Sequence, residues 1–360
     1  MYSLTLAITV GLSASAAGAE DAPFYADKLD LLFYLDASGE RHAVETSADW
    51  DIRRKHVRAN FEKVAGPLPS RKDLLALDVA VEEETEFPTY IRKKITFAVE
   101  SWDRLPAYLL IPKNVQGKVP AVLCLHPTYE FGKDVVVGIS GKPNRQYAEE
   151  LAQQGFVTIA PDYPGFGDYQ DARGRGYDHG YTSMTMKGIW NHMRCVDLLA
   201  SLPEVDPERI GCIGHSLGGH NTLFVGLFDE RITVMVTSCG FTLFAKYKEG
   251  DLSGWTHDGY MPTIATEFDK DPARMPFDFP GILGALAPRT VFINAPVNDD
   301  NFEVTGVKDC VAAALPIFRL YGAEERLMAA YPEAEHDFPD PERMQAYACI
   351  RNVLAGPSGD

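Results

Sequence analysis

The sequence predicts an α/β protein with a mostly parallel, doubly wound sheet and helices on both faces, and three observations support this prediction. First, short apolar runs of strand length alternate with helical segments from residue 119 to residue 354. Second, residues 119–125 are apolar almost throughout, as expected for a strand that is covered on both faces. Third, residues 209–220 read as an apolar strand, a glycine-rich turn and the first turn of a helix. In such sheets the reactive groups lie at the carboxyl ends of the strands.

The segments before the parallel strands are expected to have a different architecture. We expect residues 20–76 to form a helical extension packed on the main domain, because residues 50–64 have an amphipathic helical pattern that stops at a Gly-Pro pair. From residue 77 onward, β-rich runs separated by turn residues predict antiparallel strands that lead into the sheet. These strands are expected at 77–81, 90–99 and 105–111. The main domain is therefore expected to span residues 77–360.

The remaining elements follow the alternation of strand and helix. Further strands are expected at 155–160, 209–213, 232–238, 290–294 and 327–331. Helices are expected at 144–154, 183–202, 217–228, 306–320 and 341–354. An insertion at about residues 240–288, rich in aromatic and turn residues, separates two of the strands. Because this insertion follows the carboxyl end of a strand, we expect it to form a small cap over the strand ends.

Charge and the N-terminal residues bear on partners and location. The chain has 360 residues and a net charge of −17, which argues against nucleic acid and anionic membrane surfaces as partners. Residues 1–19 carry no charged side chain and end in Ala-Gly-Ala before Glu20, as signal peptides do. We therefore predict a signal peptide at 1–19 and export to the periplasm or out of the cell. This stretch is too short, and too interrupted by Ser and Gly, to span a membrane.

The six cysteines do not form a recognisable metal or redox motif. None of them stands in a Cys-x-x-Cys pair, so the sequence indicates neither a zinc site nor a redox motif. One or two disulfides remain open for an exported chain. A phosphate loop and a dinucleotide fingerprint are also absent from the sequence, so we predict no cofactor and no metal. The sequence does not determine the oligomeric state.

The segment Gly214-His215-Ser216-Leu217-Gly218 contains the strongest candidate for a nucleophile. A serine between a strand and a helix must adopt strained backbone angles, and glycine two positions away on either side leaves the space that this requires. The first N–H groups of a helix have no partner inside it, so the N–H of Leu217 can donate to a developing oxyanion. The competing interpretation is a glycine-rich turn with an ordinary serine. The choice depends on whether the chain supplies a base and an acid.

Two further loops at the same edge of the predicted sheet carry such groups. Asp299 and Asp300 follow the strand at 290–294, and His336 follows the strand at 327–331. An imidazole titrates near neutral pH and can take the proton of a serine hydroxyl. A carboxylate on the other ring nitrogen orients the imidazole and stabilises the imidazolium. The chain therefore offers Ser, Asp and His, in that order, on three loops of one sheet edge.

In this order, and in several motifs, the sequence resembles the α/β-hydrolase superfamily over about residues 100–354. The motifs are Leu-His-Pro at 125–127, Ala-Pro-Asp-Tyr-Pro-Gly-Phe-Gly at 160–167, Gly-His-Ser-Leu-Gly-Gly at 214–219 and Glu-His-Asp-Phe-Pro at 335–339. The sequence is similar to dienelactone-hydrolase-like and acetyl-xylan-esterase-like serine esterases, although dienelactone hydrolase itself has a cysteine nucleophile. The resemblance implies the α/β-hydrolase fold, with residues 77–360 as its catalytic domain. It also implies a triad of Ser216, Asp299 and His336, with Asp300 as the alternative acid.

The resemblance places a second oxyanion donor in the loop after the strand at 119–125. Pro127 has no N–H, so we expect the donor to be the backbone of Thr128, with Tyr129 as the alternative. Four side chains are predicted to line the substrate pocket, namely Tyr129, His220, Trp255 and Tyr260. His220 lies one helical turn after the candidate nucleophile, and Trp255 and Tyr260 belong to the insertion. A small satellite core is the competing interpretation of the aromatic residues in the insertion.

The sequence therefore predicts an exported serine hydrolase that cleaves carboxylic esters through an acyl-enzyme. The substrate is expected to be a small-molecule or carbohydrate ester, and the resemblance together with export suggests an acetylated carbohydrate. A prolyl-oligopeptidase-like peptidase or amidase is the alternative among enzymes, although the chain has no room for the propeller of that family. A non-catalytic binding protein on a hydrolase fold is the alternative from another class, and it requires that a triad member be missing.

Overall fold

One mixed sheet of nine strands forms the centre of the computed structural model, which describes residues 22–355. The predicted signal peptide, residues 1–19, lies outside the described residues. In the described part of the chain the strands are β1 (Phe33–Leu35), β2 (Arg41–Ala43), β3 (Ala80–Glu86), β4 (Tyr90–Glu100), β5 (Asp103–Pro112), β6 (Val119–Leu125), β7 (Val157–Pro161), β8 (Val205–His215), β9 (Ile232–Ser238), β10 (Thr290–Asn294) and β11 (Leu327–Ala330). The helices are α1 (Ser47–Ala65), α2 (Tyr147–Gln153), α3 (Ala172–Asp178), α4 (Met184–Ser201), α5 (Leu217–Phe228), α6 (Thr263–Thr266), α7 (Phe279–Leu286), α8 (Val304–Leu320) and α9 (Asp340–Leu354).

The strands of the large sheet lie in the order β11-β10-β9-β8-β6-β7-β5-β4-β3. The pairs β6–β7, β6–β8, β8–β9, β9–β10 and β10–β11 are parallel. The pairs β5–β7, β4–β5 and β3–β4 are antiparallel. The prediction of a mostly parallel sheet that begins with antiparallel strands is therefore confirmed.

Helices cover both faces of this sheet, as predicted. On one face α1, α4, α5, α7 and α8 share an apolar core that includes Trp50, Phe61 and Phe224. On the other face α2 and α9 pack in a second core that includes Tyr147 and Ile350. Because the parallel strands are covered on both sides, β6, β7 and β10 are buried along most or all of their length.

The register of the parallel strands brings their carboxyl ends to one edge of the sheet. Leu125, the last residue of β6, pairs with Gly214 of β8, which pairs with Thr237 of β9. Thr237 pairs in turn with Ile293 of β10, and Ile293 pairs with Ala329 of β11. The segments that follow these strands therefore start side by side, and they carry the candidate site.

The N-terminal extension is only partly helical, so the prediction of a helical extension at 20–76 is corrected. The amphipathic pattern at 50–64 predicted α1, which Thr46 caps through its side chain. The structure adds the antiparallel pair β1–β2, whose strands have only three residues each, too few for an alternating pattern to stand out. Helix α1 packs on the main domain through Phe61, whose ring lies 4.9 Å from that of Phe224.

The insertion at about 240–288 contains short helical turns, α6 and α7. Several of its aromatic side chains are buried against one another. The ring of Phe244 lies 5.8, 5.4 and 5.5 Å from those of Trp255, Phe277 and Phe279. These residues form the satellite core that the sequence left open, and Trp255 is one of its members.

All six cysteines are buried and unpaired, so none of the disulfides that the sequence left open is formed. Burial raises the pKa of thiols such as Cys124 and Cys310 well above the usual value, so these thiols stay protonated and behave as small apolar side chains. Within residues 22–355, no helix combines the length and the apolar character that a membrane crossing requires.

Candidate active site

Ser216 lies on the turn between β8 and α5, in a backbone conformation that residues with a side chain rarely adopt. Its φ is 56° and its ψ is −114°. The N–H of Ser216 donates to the carbonyl of Ser238 at 2.8 Å, which holds the turn against the end of β9. A Cβ on Gly214 would collide with the backbone of Gly218, and one on Gly218 would collide with the backbone of Leu125. Only glycine fits at both positions, as the predicted strand, turn and helix require.

The structure brings three of the predicted side chains into one hydrogen-bonded series. The Nε2 atom of His336 lies 2.9 Å from Oγ of Ser216, and its Nδ1 atom lies 3.0 Å from each carboxylate oxygen of Asp299. A carboxylate only accepts, so Nδ1 donates to Asp299 and Nε2 is left to accept the proton of the serine hydroxyl. Asp300 is exposed, and its backbone carbonyl accepts from Lys248. Of the two candidate acids, Asp299 is the one beside His336.

The carboxylate of Asp299 is buried and is held in its charged form by hydrogen bonds. Its side chain is 1% exposed, and the N–H groups of Asn301 and Phe302 donate to its Oδ1 at 2.9 and 3.0 Å. Burial alone would raise the pKa of Asp299, but the hydrogen bond and charge of His336, together with these two N–H groups, keep it below the usual value. Asp299 is therefore ionised at neutral pH and can stabilise an imidazolium.

The two predicted oxyanion donors lie on the nucleophile turn and on the loop after β6. Leu217 is the first residue of α5, so its N–H has no partner inside the helix. Thr128 is exposed, and its Oγ1 lies 3.3 Å from the hydroxyl of Tyr260. The backbone N–H of Thr128 stays a predicted donor.

His126 determines the shape of the loop that carries Thr128. Its Nδ1 donates to the carbonyl of Pro127 at 2.7 Å, and its Nε2 accepts from the N–H of Tyr163 at 2.9 Å. Burial lowers the pKa of His126 to about 4, so the ring is neutral and has one donor and one acceptor nitrogen. Both nitrogens are used within the protein, so His126 has a structural role in this loop.

Ring contacts connect the histidine of the series to three of the predicted pocket residues. The ring of Phe302 lies 6.0 Å from that of His336 and 6.3 Å from that of Trp255. The Trp255 ring lies 5.9 Å from Tyr260, and the His220 ring lies 4.8 Å from Trp255 and 5.6 Å from Tyr260. Phe302, Trp255, Tyr260 and His220 therefore form one continuous, largely buried aromatic cluster, here named the pocket wall.

Tyr129, the fourth predicted pocket residue, lies apart from these rings. It is 45% exposed, and its ring packs 5.5 Å from that of Phe131. Phe302 belongs to the pocket wall but was not predicted. Its place three residues after Asp299, in the same loop, is the signal that could have indicated it.

Two side chains of the pocket wall have buried polar atoms that lack a hydrogen-bond partner. The backbone of Gly240 approaches the His220 ring, but neither ring nitrogen has a partner of good geometry among the described residues. The Nε1 atom of Trp255 also lacks a partner within residues 22–355. Burial lowers the pKa of His220 to about 3, so the ring is neutral and offers one donor and one acceptor. Such groups are costly to bury unless a ligand satisfies them.

Two protein families match overlapping parts of the chain. Residues 105–237 match the dienelactone hydrolase family, and residues 176–322 match the fungal glucuronyl esterases. Both matched segments contain the turn of Ser216, and the second extends through the loop of Asp299. These matches confirm the resemblance to dienelactone-hydrolase-like esterases that the motifs predicted.

Curated proteins similar to this chain include hydrolases and esterases. YtaP of Bacillus subtilis (strain 168) is named as a hydrolase. It is 28% identical to this chain over 229 residues, which cover 60% of this chain and 74% of YtaP. The carbohydrate esterase MZ0003, from an unknown prokaryotic organism, is 21% identical over 339 residues, which cover 81% of this chain and 78% of that protein. The 4-O-methyl-glucuronoyl methylesterase of Phanerochaete carnosa is 24% identical over 194 residues, or 48% of each chain. The chain thus spans about half the length of this last relative.

Solved structures share the fold over nearly the whole chain. A glucuronoyl esterase from Solibacter usitatus has a TM-score of 0.70 at 20% identity, and the match covers 93% of this chain and 99% of that one. A CE15 glucuronoyl esterase from Teredinibacter turnerae T7901 has a TM-score of 0.70 at 18% identity, and the match covers 91% and 89%. The chain has the α/β-hydrolase fold. In an α/β-hydrolase the reactive groups stand on the loops after the parallel strands, which is where this chain has its hydrogen-bonded Ser, His and Asp.

The sequence analysis did not predict the side chains that hold the loop of His336. Arg145 forms an ion pair of 2.7 Å with Asp337, and the amide of Asn294 donates to the carbonyl of Asp337 at 2.9 Å. Asn294 is the last residue of β10, so its place at a strand end could have indicated it. No sequence pattern points to Arg145, which precedes His336 by 191 residues.

Metal-ligating atoms come within 4.8 Å of one another at two places in the described part of the chain. The two groups are Cys239, Asp299 and His336, and Asp36, Glu40 and His42. In the first group, the imidazole and the carboxylate already hydrogen bond to each other. In the second group, the carboxylate of Asp36 accepts hydrogen bonds from the turn between β1 and β2. The Cys239 thiol donates to the carbonyl of Asp337, and His42 Nε2 lies 3.0 Å from the Asp36 carboxylate, so most of these atoms have partners within the described residues.

Proposed function

We propose that this α/β-hydrolase cleaves carboxylic esters of carbohydrates through a covalent acyl-serine. The proposal is carried by one observation, the series in which His336 lies 2.9 Å from Ser216 Oγ and 3.0 Å from the Asp299 carboxylate. This arrangement supports Ser216, on the strained turn, as the nucleophile, with His336 as the base and Asp299 as the orienting acid. Esterases among the named relatives support an ester rather than an amide as the substrate.

The first half of the reaction transfers the acyl group to the serine. Ser216 Oγ attacks the carbonyl carbon of the ester while its proton passes to Nε2 of His336. The oxyanion that forms is accepted by the N–H of Leu217 and, as predicted, by the backbone N–H of Thr128. The carbon–oxygen bond to the alcohol then breaks, and the departing alcohol takes the proton from His336. Asp299 stabilises the imidazolium between these two proton transfers.

The second half of the reaction hydrolyses the acyl-serine. A water molecule gives its proton to Nε2 of His336 and attacks the same carbonyl carbon. The tetrahedral intermediate again places its oxyanion on the same donors. The bond to Ser216 Oγ breaks, the serine recovers its proton from His336, and the carboxylic acid departs. The enzyme returns to its starting state without a cofactor.

The pocket wall supports a polar acyl group rather than an alkyl chain. His220 and Trp255 have buried polar atoms that lack partners among residues 22–355. Sugar hydroxyl groups both donate and accept, so they can satisfy the neutral imidazole and the indole N–H at once. Relatives named as glucuronoyl esterases act on an ester whose acyl group is a sugar acid. We therefore propose a uronic acid ester as the preferred substrate class.

An ester of acetic acid on a carbohydrate is the second candidate. It is the substrate that the sequence suggested, and a structure from Bacteroides fragilis NCTC 9343, described as an acetyl xylan esterase, has a TM-score of 0.60 to this chain. In that case the sugar is the alcohol and the acyl pocket holds only a methyl group. The two candidates differ in whether the carbohydrate supplies the acid or the alcohol of the ester.

The alternatives to an esterase have weaker support. Dipeptidyl-peptidase 5 of Porphyromonas gingivalis is 32% identical over 102 residues, but these cover only 14% of that protein. A binding protein on a hydrolase fold requires a missing triad member. The hydrogen-bonded series of Ser216, His336 and Asp299 argues against that alternative.

Export is a proposal of its own. We also propose that residues 77–360 form the catalytic domain, with a cap at about 240–288. For export, we propose that residues 1–19 are removed as a signal peptide. N-terminal sequencing of the protein recovered from outside the cytoplasm is expected to begin at Glu20. A mature protein that starts at Met1 in the cytoplasm would contradict export.

The proposed function is tested with three substrates, one variant of the proposed nucleophile and one control variant. We expect the wild type to hydrolyse the methyl ester of glucuronic acid at a kcat/KM about 10-fold above that for an acetylated xylo-oligosaccharide, because only the uronoyl group satisfies the unpartnered atoms of the pocket wall. A peptide p-nitroanilide is expected to be inert. Ser216→Ala is expected to lower kcat by about 10³-fold or more, whereas the control Ser70→Ala, at an exposed serine, leaves it unchanged.

Each outcome of this test has a separate meaning. Activity on the acetylated sugar alone would favour the second candidate, and activity on the p-nitroanilide alone would favour the peptidase. Unchanged activity of Ser216→Ala would reject the proposed nucleophile.

A further inference from the structure

The loop that carries His336 is irregular, and its backbone is fixed from two sides. On one side the carbonyl of Asp337 accepts from the amide of Asn294 at 2.9 Å and from the thiol of Cys239 at 3.2 Å. Asn294 ends β10 and Cys239 directly follows β9, so these contacts attach the loop to the sheet edge. The other side of the loop faces the helical turn Pro143–Arg145.

Two side chains of that turn bind the residues that follow His336. Arg145 lies 2.7 Å from the Asp337 carboxylate and 3.5 Å from the His336 carbonyl. Asn144 donates to the Asp337 carboxylate at 3.0 Å and to the carbonyl of Phe338 at 3.2 Å. Arg145 also donates to the side-chain oxygen of Asn144 at 2.7 Å, which fixes the orientation of that amide. Asn144, Arg145 and Asp337 are here named the histidine-loop clamp.

Arg145 is the buried member of the clamp, whereas its partner Asp337 is 34% exposed. The side chain of Arg145 is 6% exposed, and Asp337 is its carboxylate partner among the described residues. Removal of one member of a buried, hydrogen-bonded ion pair leaves the other charge uncompensated. Burial opposes ionisation of Asp337, but the hydrogen bond and charge of Arg145 keep the pKa of that carboxyl below its usual value. The pair is therefore charged at neutral pH.

The imidazole of His336 needs such support. Its side chain is 28% exposed, so packing alone does not surround it. Its Nε2 must stay within hydrogen-bonding distance of Ser216 Oγ through both proton transfers, and a displacement of about 1 Å can cost about 10²-fold in rate. A loop without regular secondary structure does not by itself supply that precision.

We propose that Arg145 and Asn144 are positioning residues, which hold the backbone at 336–338 so that the imidazole of His336 stays aligned with Ser216. This inference rests on the proposed function, because it concerns the same histidine. The clamp acts on the acyl-transfer steps and not on the binding of the ester. Its loss therefore lowers kcat and leaves KM unchanged.

The test compares two buried arginines. Arg145→Met and Asp337→Asn each remove one partner of the clamp, whereas Arg343→Met removes the partner of Glu150 in another buried ion pair. Arg343 lies on α9. It is a matched control, because its side chain is 7% exposed and lies 2.9 Å from the Glu150 carboxylate. All three variants are expected to lose thermal stability. Only the clamp variants are expected to lower kcat, by about 10- to 100-fold, with KM within about twofold of the wild type.

Further variants separate positioning from general destabilisation. Arg145→Lys keeps the charge but not the forked geometry, so it is expected to recover part of the lost kcat. The double variant of Arg145→Met and Asp337→Asn is expected to have nearly the kcat of either single variant, because the two residues act through one contact. Additive losses, or a kcat loss no larger than that of Arg343→Met, would overturn the positioning role.

A second measurement does not depend on the choice of ester. A fluorophosphonate labels a serine that an aligned histidine activates, so the labelling rate reports the pair of Ser216 and His336 directly. We expect Arg145→Met to be labelled about 10- to 100-fold more slowly than the wild type or Arg343→Met. Labelling of the wild type without ester hydrolysis would reject the proposed function alone. Equal labelling of Arg145→Met and Arg343→Met would reject the clamp alone, and failure of the wild type to label would reject both.

Discussion

The two sides of the site differ in how their polar atoms are satisfied. On the side of the proposed triad, each nitrogen and oxygen of the Ser216, His336 and Asp299 side chains takes part in a hydrogen bond. On the side of the pocket wall, both ring nitrogens of His220 and the indole nitrogen of Trp255 lack partners within the described residues. The polar atoms of the first side are satisfied without a ligand, whereas those of the second side are not.

This difference separates the two requirements of an enzyme. Chemistry needs groups that are in place before the substrate arrives, so that no reorganisation is required in the transition state. Recognition needs groups whose best partner is the substrate itself. An unsatisfied buried donor or acceptor destabilises the free enzyme, so a ligand that pairs with it binds more tightly. Variants of the two sides should therefore fail in different ways.

The largest effect is expected from the acid of the triad. Asp299→Asn removes the negative charge and favours the wrong tautomer of His336, so kcat is expected to fall by about 10³- to 10⁴-fold. Asp300→Asn is the matched control, since its side chain is exposed one position along the same loop, and its kcat is expected to stay within about twofold of the wild type. Steady-state kinetics on one ester suffice. Equal losses in the two variants would contradict the assignment of Asp299.

A smaller effect of the opposite kind is expected from the pocket wall. His220→Leu removes two unpartnered polar atoms, so its thermal midpoint is expected to match or exceed that of the wild type. Its kcat/KM for a uronic acid ester is expected to fall by about 10-fold, while that for p-nitrophenyl acetate changes little. Thermal melts and kinetics with the two esters check this prediction. A loss of stability with no change in ester preference would assign His220 to the core instead.

The smallest effect concerns the pH dependence of stability in the insertion. Asp278 caps α7 in a buried position, and burial raises its pKa to about 7 despite the N–H groups of Phe279 and Phe244 that it accepts from. The folded protein therefore holds this proton more tightly than the unfolded chain does. The contribution of the protonated Asp278 to stability is complete below a pH of about 4, and it is lost as the pH rises towards 7.

Asp278→Asn does not titrate, so the comparison with the wild type reports Asp278 together with its interaction with Lys28, whose pKa burial lowers to about 8. We expect the thermal midpoint of the wild type, relative to the variant, to fall by about 2–5 °C between pH 5 and pH 7.5. A constant difference between the two proteins across this range would show that Asp278 is ionised throughout it.

The sequence was most informative where one strand or one turn determines the result. The strand at 290–294 was predicted with the bounds that β10 has, because four apolar or β-branched residues and Asn294 precede a loop that contains Pro296. The nucleophile turn could be predicted because its two glycines are required by the backbone itself. Ser216, Asp299 and His336 each follow a predicted parallel strand, which was enough to predict all three at one sheet edge.

The sequence was less informative where the property belongs to a contact between distant residues. Arg145 carries no motif, and its role depends on a loop 191 residues away. The satellite core of the insertion and the pocket wall share Trp255, so composition could not decide between a structural and a functional role. The absence of partners around His220 is likewise a property of the packed structure and not of any pattern along the chain.

The six buried thiols have a consequence for how this chain folds. They lie in β6, α4, β8, α8 and α9 and directly after β9, so they are distributed over the sheet and the helices on both of its faces. Each can be alkylated only when its surroundings open, so the modification rate at each position measures the local free energy of opening. In an oxidising compartment the same thiols meet oxidants before they are enclosed. A chain exported as proposed must therefore bury its cysteines faster than they pair, so its correct folding depends on the folding rate.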